Sequence, residues 1–445
     1  MSGRGIEPSQ ETVGAMAGFP LSCNRKSLES GAEATMQSMP TRDDSAPWPG
    51  HTAGSREYRL ILFALTCAGI ATFAQLYSPQ GVLPRIAANL SVRPDQAALL
   101  ISAATIGLAL GVLPWSWLAD RLGRVRAMKV SLIVATLCGF AVTAWPSFEG
   151  ILMLRALEGL ALGGLPAAAI AYLNEEVHPS HAGMAAAIYV SGTTVGGLTG
   201  RVVSVPIADA LGWRTAILVV TAMGALATLA FVLSIPTSRG FKPDAKARLP
   251  LLSAIQLNLR PDMLVLFAQG FLLMGGLVAI YNYMTFHLEA PPFSLRPATI
   301  SLLLFSYLAG TVSASWAGSR VQRHGRLRVL CAAIAVMLGG AALLLSTLTA
   351  VFVVGLVLFT AGFFAAHAVA AGWVGQRATG GRSQAASLYN LFYYAGSSFF
   401  GWFCGLVFVA AGWTATVLTV MGMAVLAAGL AVWHAAGRET TEVGA

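Results

Sequence analysis

Apolar positions in this chain do not alternate with polar ones. They run in long blocks, each closed by a short cluster of arginine, glycine or proline. A helix rising 1.5 Å per residue needs about 20 apolar residues to cross a bilayer core ~30 Å thick. Twelve blocks meet that need. Six run Leu60–Leu83, Ala97–Ala119, Met128–Trp145, Phe148–Leu173, Gly183–Ile207 and Arg214–Ile235. Six more run Met263–Phe286, Thr299–Ser319, Val329–Leu348, Val351–Gly375, Gln384–Val409 and Thr414–Trp433. The pattern predicts an all-α integral membrane protein.

The blocks fall into two related sets. Ala185–Tyr189 returns as Ala385–Tyr389, and Gly196 and Gly396 follow each tyrosine at the same interval. Gly212-Trp213 and Gly412-Trp413 then close the two copies. Asp120-Arg-Leu-Gly-Arg-Val-Arg126 is answered by Gln322-Arg-His-Gly-Arg-Leu-Arg328. Repeats of this length in an apolar chain predict two homologous six-helix halves rather than a solenoid. The expected division is a disordered cytoplasmic tail at 1–57, an N-terminal half at 58–236, a central loop at 237–262, a C-terminal half at 263–435 and a short tail at 436–445. The first 57 residues have no apolar block and no signal peptide; Met36 and Met39 are alternative starts.

Composition changes the picture in one respect, the reading of charge. The 445 residues are 56% hydrophobic and 11% charged, with a net charge of +9. Soluble domains carry about 25% charged residues. Of the 28 lysines and arginines, 22 fall in the tails and in alternate loops, and four in the remaining loops. This asymmetry orients the chain with both termini in the cytoplasm and replaces nucleic-acid binding as the reason for the basic balance. The five cysteines have no disulfide or metal spacing, and no metal or cofactor is expected. Phosphate-cradling, nucleophile-elbow and metalloprotease motifs are absent, so neither ATP-driven work nor enzyme chemistry is expected.

Two six-helix halves joined by a basic loop, with Asp120-Arg-Leu-Gly-Arg124 between helices two and three, resemble the major facilitator superfamily. That loop reads Ser116-Trp-Leu-Ala-Asp120-Arg121-Leu-Gly123-Arg124, with serine for the family's first glycine. The second copy, Gly318-Ser-Arg-Val-Gln322-Arg323-His-Gly325-Arg326, keeps the glycine and loses the acid. Arg155-Ala-Leu-Glu158-Gly159 looks like the family's Arg-x-x-Gln-Gly motif with glutamate for glutamine. A narrower likeness lies in the runs 171–176, 196–201, 211–214, 281–283, 288–292 and 388–394. These resemble the acriflavine-sensitivity exporters of bacterial inner membranes. The resemblance implies alternating access and proton-coupled export of a small amphiphilic metabolite, drug or siderophore. The alternatives are proton-linked uptake of a nutrient or organic anion, and a non-transporting sensor on a transporter fold. The implied partners are a small-molecule substrate, protons and the lipid bilayer, with the chain acting as a monomer in the inner membrane.

The site residues follow from charge and polarity placed where lipid disfavours them. Asp120, Arg121, Gly123 and Arg124, with Arg323, Gly325 and Arg326 in the second copy, are expected to gate, more strongly in the first half because Gln322 cannot form an ion pair. Arg155 and Glu158 lie one turn apart inside helix four and are expected to carry a proton, together with Asp209, two turns beyond Arg201 in helix five. The bland alternative for the pair is a self-neutralising structural contact. Arg201 sits deep in helix five, while the repeat places Gly401 at its counterpart, so the fold does not demand this charge. It is expected to line a central cavity with Gln75, Tyr77, Gln269, Tyr281, Asn282, His367, Tyr389, Asn390 and Tyr393. Gln80 is a further polar candidate. Glu175, Glu176 and Glu289 read as solvated.

Overall fold

Four glycines set the joints of the helical bundle. Gly123, Gly212, Gly325 and Gly412 have φ of +90°, +86°, +78° and +76°, a region open to glycine and costly for residues with a Cβ. They stand at matching places in the two sequence copies. Each turns the chain from one long helix directly into the next.

The computed structural model describes residues 48–241, 256, 258–378 and 382–443. Helix α1 (Arg56–Tyr77) passes through a 3₁₀ turn at Gln80–Val82 into α2 (Leu83–Leu90). There follow α3 (Pro94–Leu122), α4 (Arg124–Ala144), α5 (Phe148–Leu162), α6 (Gly164–Glu176), α7 (Pro179–Leu211) and α8 (Trp213–Ser234). The second half holds α9 (Pro261–Glu289), α10 (Pro297–Leu303), α11 (Tyr307–His324), α12 (Arg326–Leu343), α13 (Thr349–Arg377) and α14 (Arg382–Val443). Proline stands in the first turn of α3, α7, α9 and α10, where its missing N–H costs nothing.

Ten spans among the described residues are long and apolar enough to cross a membrane. The last of them, Gln384–Ala435, contains two rods divided at Gly412. The 33-residue α7 is long enough, yet its glycines, serines and threonines keep it out of the ten. With these, twelve rods cross the described structure, as two six-helix halves. No strand occurs among the described residues, only an isolated bridge between His51 and Val177.

Small residues let the helices meet at the backbone. A Cβ on Gly196 of α7 would lie 2.6 Å from the Ile70 Cα of α1. One on Gly396 of α14 would collide with the Phe271 carbonyl of α9. The repeated glycines thus weld the same helix pair in each half. Between halves, α3 packs along α14 and α7 meets α10.

Two boundaries differ from the sequence expectation. Most of the tail expected to be disordered to residue 57 lies outside the described residues, but its end is tied down. His51 N donates to the Glu176 carbonyl (2.7 Å), and His178 N donates to the His51 carbonyl (3.0 Å). Only Gly50 fits beside His178, since a Cβ there would sit 2.5 Å from its nitrogen. At the other end α14 runs on to Val443, past the expected stop at Trp433. Much of the central loop lies outside the described residues.

Candidate functional site: a cavity around Arg201 between the halves

Arg201 projects from α7 into the seam between the halves and is 2% exposed. Its guanidinium is held on every side. Nε donates to Gln80 Oε1 (2.6 Å), Nη1 to the Gly197 carbonyl (2.6 Å) and Nη2 to the Tyr307 hydroxyl (3.2 Å). The Tyr77 and Tyr307 rings flank it at 4.1 Å and 4.5 Å from their centroids. Ring faces and neutral oxygens stabilise a buried cation without cancelling its charge. No carboxylate pairs with Arg201 among the described residues. The guanidinium borders a cavity of about 90 Å³ whose wall includes Phe73, Tyr77 and Thr194 from one half and Met274, Tyr307, Phe364 and Tyr393 from the other.

A polar chain continues across the seam. Gln80 Nε2 donates to Asn282 Oδ1 of α9 (2.6 Å). Tyr281 shares hydrogen bonds with Ser306 (2.6 Å) and Thr360 (2.8 Å), and its ring leans on Tyr307 at 4.6 Å. Next to Tyr393, His367 Nδ1 meets the Tyr389 hydroxyl (2.8 Å), and its ring lies 4.7 Å from Tyr393. Arg201, Tyr77 and Tyr393 therefore line the cavity, and Tyr281, Asn282, His367 and Tyr389 support its wall. Asn390 is partly buried one residue on and forms no hydrogen bond among the described residues.

Two expected cavity residues point elsewhere. Gln75 donates to the Ala71 carbonyl (3.0 Å) and packs against Gly139 and Gly224, inside the first half. Gln269 donates to the Ala427 carbonyl on the last rod (2.8 Å). In a bundle, a buried amide can satisfy itself on a neighbouring helix backbone as well as in a cavity, and polarity alone does not distinguish the two.

Arg155 and Glu158 also lie away from the cavity wall, both 1% exposed. Arg155 Nη1 donates to Glu158 Oε2 (2.7 Å) and the Gln75 carbonyl (3.1 Å), Nη2 to the Leu76 carbonyl (2.6 Å) and Nε to the Leu100 carbonyl (3.2 Å). The pair ties α5 to the end of α1 and to α3. Asp209 does not join it. It pairs with Arg85 (3.1 Å), which also pairs with Glu289 of the second half (3.1 Å). Pro206 and the end of α7 carry Asp209 out to the rim, where it is half exposed. Glu289, expected to be solvated, is thus part of an ion bridge between halves.

At the opposite end of the bundle, Arg124 binds Asp120 and, through Nη2, Glu175 (3.0 Å). Arg121 stacks over Trp117 (4.0 Å), and Gly123 makes the turn from α3 into α4. Glu175 of α6 therefore joins Asp120 on Arg124. Glu176 is buried and accepts from Ser238 Oγ, Arg239 N (2.6 Å) and Gly240 N (2.8 Å). Neither acid is solvated as expected. In the second copy Gly325 makes the same turn, while Arg323 and Arg326 join no ion pair among the described residues.

Hydrogen bonds between the halves are confined to the Arg93 end and mid-depth among the described residues. They comprise Arg85–Glu289, Gln80–Asn282, Arg201–Tyr307, and Ser398 with Thr105 (2.7 Å) and the Ser102 carbonyl (2.8 Å). Gly401, the counterpart of Arg201, packs where a Cβ would meet Ser102 and Asn282 at 3.1 Å and 3.3 Å. A side chain there requires both neighbours to shift.

Residues 62–401 match the family model of the Major Facilitator Superfamily. The chain belongs to that superfamily. It is 37% identical over 381 residues to the uncharacterized MFS-type transporter YybF of Bacillus subtilis (strain 168), covering 85% of this chain and 93% of that one. It is 37% identical over 375 residues to the inner membrane transport protein YnfM of Escherichia coli (strain K12), covering 84% and 90%. Its fold is similar to a bacterial homologue of the human lysosomal transporter Spinster in an inward-facing, unoccupied conformation. That match has a TM-score of 0.69 at 17% identity and covers 85% of this chain and 97% of the other. A mutant of the nucleoside transporter NupG matches with a TM-score of 0.71 at 16% identity, covering 84% and 99%. This is a multi-pass membrane transporter, not an enzyme.

Proposed function

We propose that this superfamily member is a secondary transporter of the inner membrane that exports a small amphiphilic compound bearing an anionic group, in exchange for protons. The observation that carries the reading is Arg201: a cation with no acid partner among the described residues, between two tyrosine rings, on the wall of a cavity shared by both halves. An aromatic wall suits the apolar part of such a substrate, and a guanidinium suits its carboxylate, hydroxamate or phosphate.

With both termini cytoplasmic, as the loop charges favour, the Asp120 end faces inward and the bonded Arg93 end faces outward. The described state is then closed outside. Rocking the halves apart at the outer end breaks Arg201–Tyr307 and Gln80–Asn282 together, so the contacts holding the arginine change between the two states. A ligand shifts such an equilibrium only by binding the states unequally. Glu158 is the proposed proton carrier, since a proton on it releases Arg155 from the one acid that pairs with it among the described residues. The likeness to acriflavine-sensitivity exporters favours a drug, metabolite or siderophore as cargo.

Everted membrane vesicles test the reading. With an acidified interior they accumulate small amphiphilic anions, and Arg201→Ala at normal insertion levels lowers the initial rate at least about tenfold, the usual cost of a lost charge-assisted contact. Uptake indifferent to the proton gradient overturns antiport. Uptake indifferent to Arg201→Ala overturns the assigned site.

A further inference from the structure

A groove of about 440 Å³ lies outside the seam, between α11, α12 and α13. Its walls are Ala317, Ala333, Val336, Gly362 and Ala365. Its mouth carries Arg320, His324 and Arg328, and no acidic residue lines it. Trp316 and Val336, 57% and 44% exposed, flank the open side. Arg320 leans on the Trp316 ring (5.0 Å). Neither Arg320 nor Arg328 joins an ion pair among the described residues.

The first half shows how such a groove is closed. There Trp115 Nε1 donates to the Leu160 carbonyl (2.9 Å), and Ser131 Oγ donates to the Ala161 carbonyl (2.7 Å), filling the space between α3, α4 and α5. Aligning Arg124 with Arg326 places Ala317 at the position of Trp115 and Ala333 at that of Ser131. The second copy has lost both plugs.

Depth and charge identify the occupant. From Arg328 to Val336 the groove follows α12 for about 12 Å at 1.5 Å per residue, most of the depth of one leaflet of a ~30 Å hydrocarbon core. An apolar slot reaching through most of one leaflet, with two arginines and a histidine at the headgroup level, complements one ligand chemistry. We propose that this groove binds one anionic phospholipid of the leaflet at the Asp120 end, its phosphate on Arg320, His324 and Arg328 and an acyl chain along Ala317 and Ala333. Basic pockets between membrane helices are the expected seat of such headgroups. A zwitterionic lipid fills the slot but leaves the cations without net countercharge.

The full chain is reconstituted in nanodiscs of equimolar phosphatidylglycerol and phosphatidylcholine, released, and weighed by native mass spectrometry. Phosphatidylglycerol stays bound in preference to phosphatidylcholine. Arg320→Ala and Arg328→Ala each lower its retention about fivefold, the worth of one basic residue near an anionic surface. Ala317→Trp, which restores the plug, removes the bound lipid from a monodisperse protein; should that variant fail to fold, the two arginine variants decide alone. Equal retention of both lipids, retention unchanged in the arginine variants, or displacement of the lipid by soluble glycerol phosphate at matched concentration overturns the proposal.

Discussion

Arg155 and Arg201 are both arginines buried at membrane depth, and their surroundings separate their roles. Arg155 has an acid and three backbone carbonyls, enough to satisfy its donors inside one half. Arg201 has rings, an amide and a hydroxyl drawn from both halves. In the sequence both are simply arginines in apolar blocks. What distinguished Arg201 there was its mismatch with Gly401, and the packed seam at Gly401 gives that mismatch a physical cause. Tyr307 was not legible, because a tyrosine inside an apolar block has no pattern that names its partner. Gln75 and Gln269 were misplaced for the same reason: an amide in lipid must be satisfied, but sequence does not say by whom. Glu158→Gln leaves the Arg155 charge buried without its acid. Breaking a buried pair from one side costs about 3–5 kcal/mol. The variant is therefore expected to unfold at markedly lower temperature in a detergent melting assay, and Arg155→Met with Glu158→Met recovers much of the loss. A single variant as stable as the parent contradicts the buried pair.

At the scale of elements, the helices were largely legible and their ends were not. Apolar blocks of membrane length produce membrane helices because lipid leaves the backbone no other way to satisfy its hydrogen bonds. The four joint glycines were visible as repeat markers, and the structure adds the reason, a backbone conformation that side chains resist. The α7 helix shows the limit of hydropathy: its small polar residues weaken the apolar signal while making the close contact with α1. Glu175 was missed because it lies far along the chain from Arg124, and only the packing of α6 beside α3 and α4 brings them together. Since Arg124 holds two acids, Asp120→Asn alone leaves one ion pair in place. Asp120→Asn with Glu175→Gln is expected to impair transport more than the two single losses combined, with a coupling of about 0.5–3 kcal/mol in a double-mutant cycle. Additive effects argue against a shared latch.

For the whole molecule, duplication explains the symmetric frame and its defects mark the chemistry. The two copies share their joint glycines and helix welds. They differ at Asp120 against Gln322, Arg201 against Gly401 and Trp115 against Ala317, and each difference changes what one half can bind. The contacts between halves were the least legible part, since Asp209 was grouped with Arg155 and Glu158, Glu289 read as solvated, and no pattern joined either to Arg85. Together they clasp the Arg93 end, and alternating access through the cavity requires that clasp to open. The most direct measurement is side-specific labelling of Thr194→Cys, on the cavity wall, in a chain without its native cysteines. Arg85→Cys and Glu289→Cys are added, to be joined through disulfides to a reducible bis-thiosulfonate linker about as long as the ion-paired side chains. With the pair linked, a membrane-impermeant maleimide is predicted to label position 194 from the Asp120 side alone, and after reduction from both sides. Labelling from the Arg93 side while the linker is intact, or the same one-sided labelling before and after reduction, contradicts alternating access through this cavity.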